Sequence, residues 1–404
     1  MRRISPTAFR IARRGTSREI NRQIALNLVR SKQPISRADL ARLMGIRRGA
    51  ISLLVNDLLR SGLVFEAAKG ESKRGRKPMH LHIDSRRRCA VAVDISATRT
   101  SILVTDLVGH PLVDVSEFPT RRRPQGLVKE VAGNIGRILA EHPEVGDCVG
   151  VGVVVSGVVD LDGRRLRFSP TLGWRDVDLL VPLKAATKLP VVVENSMKAC
   201  ILAQVWAVRG DAPVDGAVAF VNVSDGVGVG IAIDGKLLRG AHNIAGEFGH
   251  VPLSMDGPHC ACGQSGCWEA YVSNRATIAR YLGADLSWPG SAVLEGPNVE
   301  EIVARARAGE SRAVETLRET GYYLGRGFAT IVKAIDPRRV YVGGEIIIAW
   351  DLIESTVREA LREAALVRDT GELEIRTVSL GERPRLRGAA ALVSTPAFAA
   401  PVVA

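Results

Sequence analysis

The sequence predicts an α/β protein in two parts: an N-terminal winged helix-turn-helix and a larger body of two similar α/β lobes. Three observations lead there. The excess positive charge is confined to the first segment, that segment carries the cap and turn residues of a helix-turn-helix, and the remainder repeats short β-branched strands with glycine turns. At 404 residues the chain exceeds the size at which one core keeps growing, so several domains are expected. Residues 1–88 hold 22 Lys and Arg against 6 Asp and Glu, whereas the rest holds 33 against 37. A basic module on a mildly acidic body points to a polyanionic partner for that module alone.

In the first module, Ile20, Ile24, Leu28 and Val29 recur at the spacing of one helix face, and Pro34 ends that helix. Ser36 stands as an N-cap before "RADLARLM", with Asp39 in the place of the capping-box acid, and Gly45 closes the second helix. A third helix follows in "RRGAISLLVNDLLRSG", with Ile51, Leu54, Val55, Leu58 and Leu59 inward and Gly62 ending it. The second helix of such a motif places its N-terminal side chains in the DNA major groove. Here those are Arg47, Arg48, Ala50 and Ser52, and the cap Ser36 is counted with the DNA-facing residues. "LVFEAAKGESKRGRKPMHLHID" reads as strand, loop and strand, a wing whose tip carries Lys73, Arg74, Arg76 and Lys77 and suits a narrow minor groove.

From Ala90 onward the strands "CAVAVDISATRTSILVTDLVGHPL", "VGVGVVVSGVVD" and "LPVVVEN" precede a second series, "AVAFVNVSDGVGVGIAIDGKLLRG" and "RVYVGGEI". Two similar halves, each opening on a β-hairpin whose turn can face a phosphate, describe the actin-like sugar kinase architecture. The expected boundaries are 1–88 for the DNA-binding module, 89–197 for the first lobe, completed by a C-terminal helix near 386–395, and 198–385 for the second lobe. An Ala- and Pro-rich disordered tail is expected at 396–404. The longest apolar stretch, Val149 to Val159, is too short and glycine-rich to span a bilayer as a helix. The N-terminus lacks the apolar run of a secretory signal, so a cytoplasmic protein without a membrane partner is expected.

Three of the six cysteines, Cys260, Cys262 and Cys267, fall within eight residues, which favours a metal over disulfides. With one imidazole they form a closed tetrahedral set suited to structural zinc. His250 and His259 are both near enough in sequence to supply it.

These elements carry a resemblance. "EFGH" (Glu247 to His250), "CACGQSGCWE" (Cys260 to Glu269), "SGVVD" (Ser156 to Asp160), "SPTLGW" (Ser169 to Trp174) and "VEN" (Val193 to Asn195) resemble signature elements of the ROK family of repressors, open reading frames and kinases. With its helix-turn-helix, the chain is similar to the repressor branch, from about Ser17 to about Thr395. The resemblance implies His250 as the fourth metal ligand. It also implies Asn195, Glu247, His250 and Glu269 as hydrogen-bonding partners of sugar hydroxyls.

The same resemblance locates what a kinase would need. The general base should follow Asn195, as in "END", but this chain reads "ENS", and the Ser196 hydroxyl lacks a carboxylate's accessible negative state. The first phosphate turn, "DISATR", keeps Asp94 and Thr98 but has Ser96 and Ala97 in place of two glycines. The second, "DGVGVG", keeps Gly226, Gly228 and Gly230, which a close packing contact would equally require. In "SPTLGW", Thr171 stands where related sequences often carry Asn. The reading is a transcriptional regulator, a repressor of carbohydrate-utilisation genes, that binds double-stranded operator DNA as a homodimer or dimer of dimers and a sugar or sugar derivative as effector. The alternatives are a regulator whose body is a sugar-blind dimerisation scaffold and an ATP-dependent sugar kinase.

Overall fold

The computed structural model describes residues 16–68, 79–84, 87–207, 216–287, 296–364, 366 and 373–398. The N-terminal module runs α1 (Thr16–Lys32), β1 (Ile35–Ser36), α2 (Arg37–Met44), α3 (Arg48–Arg60), β2 (Val64–Ala68) and β3 (Met79–Ile83). Ser36 and Asp39 close a capping box on α2, and Gly45 ends it at φ 65°, a left-handed conformation that glycine takes without a Cβ clash. α3 buries Ile51, Leu54, Val55 and Leu58 against α1 and α2. β3 pairs antiparallel with both β1 and β2, which completes a winged helix-turn-helix. The wing tip, with Lys73, Arg74, Arg76 and Lys77, lies outside the described residues.

α1 departs from expectation. Its buried residues are Ala25, Leu26 and Val29, and Ile24 is 45% exposed. Steps of four residues advance about 40° around a helix, so the line Ile20, Ile24, Leu28 winds off the face that meets α3.

The body has two five-stranded sheets. The first lobe contains β4 (Arg88–Ile95), β5 (Arg99–Asp106), β6 (Ser116–Pro119), α4 (Pro124–Glu141), β7 (Asp147–Val155), β8 (Val158–Val159), β9 (Arg165–Ser169), β10 (Trp174–Asp178), α5 (Leu180–Thr187), β11 (Val191–Asn195) and α6 (Ser196–Ala207). Its main sheet is ordered β11-β7-β4-β5-β6, and β8 to β10 form a separate meander. The second lobe contains β12 (Ala217–Val223), β13 (Val227–Ile233), β14 (Lys236–Leu237), α7 (Glu269–Val272), α8 (Asn274–Leu282), α9 (Val299–Arg307), α10 (Ser311–Ile335), β15 (Arg339–Gly343), α11 (Trp350–Ala364) and β16 (Glu374–Thr377). Its sheet is ordered β14-β13-β12-β15-β16. Both lobes thus place an antiparallel three-strand run beside two parallel strands in the same order, the internal repeat of an actin-like fold. The last helix, α12 (Pro384–Ser394), returns to pack on β4 and β7 of the first lobe.

α6 is the element that both lobes share. Ala199 packs with Ala90, Ala92, Leu103 and Val154 of the first sheet. Met197, Cys200 and Ile201 pack with Val218, Phe220 and Ala232 of the second. The expected lobe boundary at 197/198 therefore falls inside a helix that belongs to both cores. The approach is close: a Cβ at Gly230 would lie 2.1 Å from the Met197 carbonyl oxygen, and one at Gly228 would lie 2.4 Å from Met197 Cγ. Two glycines of the "DGVGVG" turn are thus accounted for by packing.

The far end of α6 meets the DNA-binding module. Arg30 of α1 donates to the Trp206 carbonyl at 3.1 Å and lays its guanidinium 3.8 Å from the indole centroid, a cation–π contact. Phe398 is 3% exposed and joins the module's core beside Leu26, Val29 and Leu107. The Gln23 and Asn27 side-chain amides donate to the carbonyls of Ala397 and Phe398 at 2.9 and 2.8 Å. This corrects the expectation of a disordered tail at 396–404. Pro396 to Phe398 are built into the N-terminal module because Phe398 is a large apolar side chain with a hydrophobic socket to fill, and 399–404 lie outside the described residues. Phe398→Ala should cost about 3–5 kcal/mol at this junction, read as a lowered denaturation midpoint. An unchanged midpoint would contradict the docking.

Candidate functional site: an effector cleft, a cysteine cluster and a DNA-facing helix

Arg47 is the N-cap residue of α3 and Arg48 its first residue. Both are exposed with Ala50, and neither forms an ion pair with a described residue. The two serines expected beside them are spent inside the module. Ser36 Oγ accepts from Asp39 N at 3.1 Å and donates to the Asp39 carboxylate at 2.6 Å. That hydrogen bond is the main cause holding the Asp39 carboxyl below its usual range. Ser52 Oγ donates to the Arg48 carbonyl at 3.0 Å. Arg37, which the sequence reading passed over, is fixed by Glu66 at 2.7 Å and Asn56 at 3.1 Å, so it braces α2 against the wing strand and α3.

In the cleft, Asn195 ends β11 and caps α6. Its Oδ1 accepts from the backbone N–H groups of Met197 and Lys198 at 2.8 and 3.2 Å, and its Nδ2 donates to the Gly157 carbonyl at 2.8 Å. One amide N–H is left for a ligand. Ser196, the first residue of α6, is buried. Glu247 is exposed, its carbonyl accepts from His250 N at 3.1 Å, and its carboxylate has no hydrogen-bond partner among the described residues. Glu269 opens α7 and accepts from Val227 N at 2.8 Å through Oε2, while Oε1 lies 3.6 Å from Cys260 Sγ. Glu269 therefore anchors the β12–β13 hairpin turn to the cysteine loop. Thr171 is exposed, with its hydroxyl 3.4 Å from Ser169 Oγ.

A buried polar network around Asn195 was not read from the sequence. Glu194, 2% exposed, accepts from Asn195 N at 2.7 Å and pairs with Arg239. Asn243 donates to the Val159 carbonyl at 3.0 Å and to Glu194 at 3.3 Å. Lys198, also 2% exposed, donates to the Asn243 carbonyl at 2.9 Å. Burial pushes the Lys198 ammonium down, and the Glu194 and Glu247 carboxylates oppose it. These contacts fasten the loop bearing Arg239 and Asn243, which leads to Glu247, onto the first lobe and the first turn of α6. The available signal was one lysine in the otherwise apolar "SMKACILAQVWA".

The turn that follows Asp94 is engaged by the chain's own side chains. Arg385 of α12 lies 2.6 Å from the Asp94 carboxylate and reaches Ser156 Oγ at 3.3 Å. Burial raises the Asp94 carboxyl, and Arg385 counters it. The turn after Asp94 closes on its own serine: Ser96 Oγ donates to the Arg99 carbonyl at 2.7 Å and accepts from Arg99 N at 3.2 Å. Thr98 is exposed.

The ligand atoms of His250, Cys260, Cys262 and Cys267 all lie within 4.8 Å of one another. Cys262 and Cys267 sulfurs are 3.6 Å apart, and Cys260 Sγ is 3.7 Å from His250 Nδ1. A tetrahedral centre with metal–sulfur bonds of about 2.3 Å has ligand atoms about 3.5–3.8 Å apart, so the set fits a four-coordinate metal. His259 stands apart, its Nδ1 2.9 Å from Ser265 Oγ, which leaves His250 as the imidazole of the cluster. Burial pushes the Cys260 thiol up and raises Cys267 to about 11. Metal ligation requires these cysteines as thiolates, so uptake of a cation releases protons.

A winged helix-turn-helix fused to an actin-like two-lobed body, with a polar cleft and a three-Cys, one-His cluster, defines the class of protein. Residues 90–395 match the ROK family, and the chain belongs to that family. The xylose repressor of Bacillus subtilis (strain 168) is 26% identical over 377 residues, 93% of this chain and 95% of that protein. The DNA-binding transcriptional dual regulator NagC of Escherichia coli (strain K12) is 23% identical, covering 93% and 92%. A glucokinase of Streptomyces coelicolor is 29% identical, covering 76% of this chain and 98% of the enzyme. Among solved structures, a ROK family transcriptional regulator, a homologue of the E. coli MLC protein, superposes with a TM-score of 0.78 at 23% identity, covering 95% and 97%. A ROK family glucokinase from Streptomyces griseus, in complex with glucose and AMPPNP, gives 0.63 at 29% identity, covering 75% and 98%. The regulators therefore match the chain along nearly its whole length, and the kinases match about three quarters of it. No helix among the described residues is long and apolar enough to cross a membrane.

Asn195→Ala removes a helix cap and should lower stability by about 1–2 kcal/mol, measured by urea unfolding. Asn195→Asp keeps the cap acceptor and should recover most of that loss. Equal losses in both variants would place the contribution in the Gly157 bond instead.

Proposed function

We propose that this chain is a sugar-responsive DNA-binding repressor of carbohydrate-utilisation genes. The observation that carries the reading is α6, whose first turn is capped by Asn195 in the cleft and whose last turn supports the DNA-binding module through Trp206. A 12-residue helix is about 18 Å long, so a shift at the cleft is passed to the module as rigid-body motion. The xylose repressor and NagC, similar along nearly their whole length, support the same reading.

Two modules in a homodimer, or in each half of a dimer of dimers, would read half-sites of a palindromic operator about 34 Å apart. Arg47 and Arg48 enter the major groove, where arginine pairs bidentately with guanine. Lys73, Arg74, Arg76 and Lys77 extend the contact into the minor groove. The effector is a sugar or sugar derivative held by Glu247, His250 and the free amide N–H of Asn195, with Glu269 supporting the loop. Binding alters the lobe angle and hence the separation of the modules, which requires different effector affinity in the two arrangements.

The body performs no phosphoryl transfer on this reading. A kinase would need a base where Ser196 stands and an open phosphate turn where Arg385 meets Asp94. The sugar-blind scaffold draws support from Glu269, whose two oxygens face Val227 N and Cys260.

Structural zinc is the metal that suits the cluster, because three thiolates and an imidazole close its coordination and leave no position for substrate. His250, Cys260, Cys262 and Cys267 would hold it, and its role is to fix the loop between Glu247 and Glu269.

The purified protein should contain one zinc per chain, read by elemental analysis, and Cys267→Ser should lose it together with thermal stability. Full zinc content in Cys267→Ser would contradict the assignment. Because uptake expels thiol protons, zinc affinity should weaken as pH falls. Arg47→Ala should weaken operator binding by about 1–3 kcal/mol in fluorescence anisotropy at fixed salt, with sugar affinity unchanged. Unaltered operator affinity would remove α3 from the DNA interface. Glu247→Ala should abolish release of operator by the sugar; normal release would remove Glu247 from the effector site, whereas operator binding that no sugar perturbs, even in the unaltered protein, would favour the scaffold.

A further inference from the structure

Two cysteines outside the metal cluster meet where the DNA-binding module joins the body. Cys89 on β4 and Cys148 on β7 are direct register partners across parallel strands. Both side chains pack on the same cluster, which includes Val91, Val151 and Val153. The register shifts between this pair and Val91–Val151, and such a bulge re-aims a side chain, which brings Cys148 to the face of Cys89. Cys89 is buried and Cys148 is half-buried, so a dissolved oxidant reaches Cys148 first.

Neighbouring strands lie about 4.8 Å apart, inside the Cα separation of about 4.4–6.8 Å that a disulfide spans. Paired strands hold their Cβ atoms farther apart than the roughly 3.8 Å a relaxed disulfide prefers, and strained disulfides are the readily reduced, regulatory ones.

We propose that Cys89 and Cys148 are a redox-modification site that forms a reversible disulfide on exposure to a hydroperoxide. The Cys148 thiolate attacks one peroxide oxygen, the O–O bond breaks, and hydroxide or alkoxide leaves. The resulting sulfenic acid is attacked by the Cys89 sulfur, the S–S bond forms, and the S–OH oxygen departs as water with the Cys89 proton. Two electrons pass from the two sulfurs to the peroxide. The contact with Cys89 holds the Cys148 thiol below its usual range, which favours attack from Cys148. The same contact, followed by burial, pushes Cys89 up.

The pair sits on the seat of the DNA-binding module. Arg88, next to Cys89, donates to the Ser61 carbonyl at 3.1 Å, and Asp147 N donates to the Arg87 carbonyl at 2.9 Å. Val149, next to Cys148, packs against the module's core. A bond drawing β4 and β7 together acts directly on those contacts.

The test uses the full-length metal-loaded protein, treated with hydrogen peroxide, alkylated under denaturing conditions and mapped without reduction by mass spectrometry. The expected product is a Cys89–Cys148 linked peptide two hydrogens lighter than the two thiols, reversed by dithiothreitol and absent from Cys148→Ser. In Cys89→Ser, dimedone should trap Cys148 as a sulfenic acid, a readout that needs no disulfide. Recovery of Cys89 and Cys148 as separately alkylated peptides while Cys260, Cys262 and Cys267 oxidise would overturn the proposal. So would failure of dimedone to label Cys148 in Cys89→Ser.

Discussion

The structure depends on one buried helix. α6 has no polar face, so it is stable only with apolar surface on every side, and it obtains that surface from both sheets at once. Its N-terminal orphan N–H groups are met by Asn195, a residue of the cleft. Its C-terminal residues carry Trp206 under Arg30 of the DNA-binding module. No motion of one lobe against the other leaves α6 indifferent, because close-packed cores switch between arrangements rather than stretch. α12 reinforces the connection: a Cβ at Gly388 would lie 2.1 Å from the Ala199 carbonyl oxygen, and the chain beyond it delivers Phe398 to the module's core.

The cleft combines that mechanical role with a chemistry suited to binding. Two carboxylates of this region are ion-paired, Glu194 with Arg239 and Asp94 with Arg385, and the buried Lys198 is held by the Asn243 carbonyl. A buried pair that loses one partner leaves an uncompensated charge, which is strongly destabilising. Arg385 is thus more than a lost phosphate turn. It is the cation that offsets the effect of burial on the Asp94 carboxylate. In the second lobe, Glu269 joins the cysteine cluster to the β12–β13 turn.

Much of this was legible in sequence, for identifiable reasons. The Ser36 and Asp39 box, Gly45 and the inner stripe of α3 are local signals with fixed spacing, and each appears where the spacing put it. The two-lobed body was readable because its strand and glycine-turn pattern repeats. The choice between His250 and His259 needed the loop's path in space, since both lie close in sequence to Cys260. Long-range polar partners were invisible for the same reason. Lys198 and Asn243 are 45 residues apart, and Asp94 and Arg385 come from opposite ends of the body. Phe398 was lost in an Ala- and Pro-rich composition, because composition does not report that one aromatic side chain has a socket waiting in another module.

The central claim is that the cleft and the DNA-binding module share one equilibrium through α6. The most direct measurement is the affinity of a panel of hexoses, N-acetylhexosamines, pentoses and their phosphates for the zinc-loaded protein, free and bound to its own upstream DNA. Linkage requires that a sugar which weakens DNA binding be weakened by DNA by the same factor. The account predicts at least one sugar with such a matched pair of factors, weakened in Trp206→Ala, which keeps the cleft but removes the indole beneath the Arg30 guanidinium. A sugar bound equally well with and without DNA would contradict it.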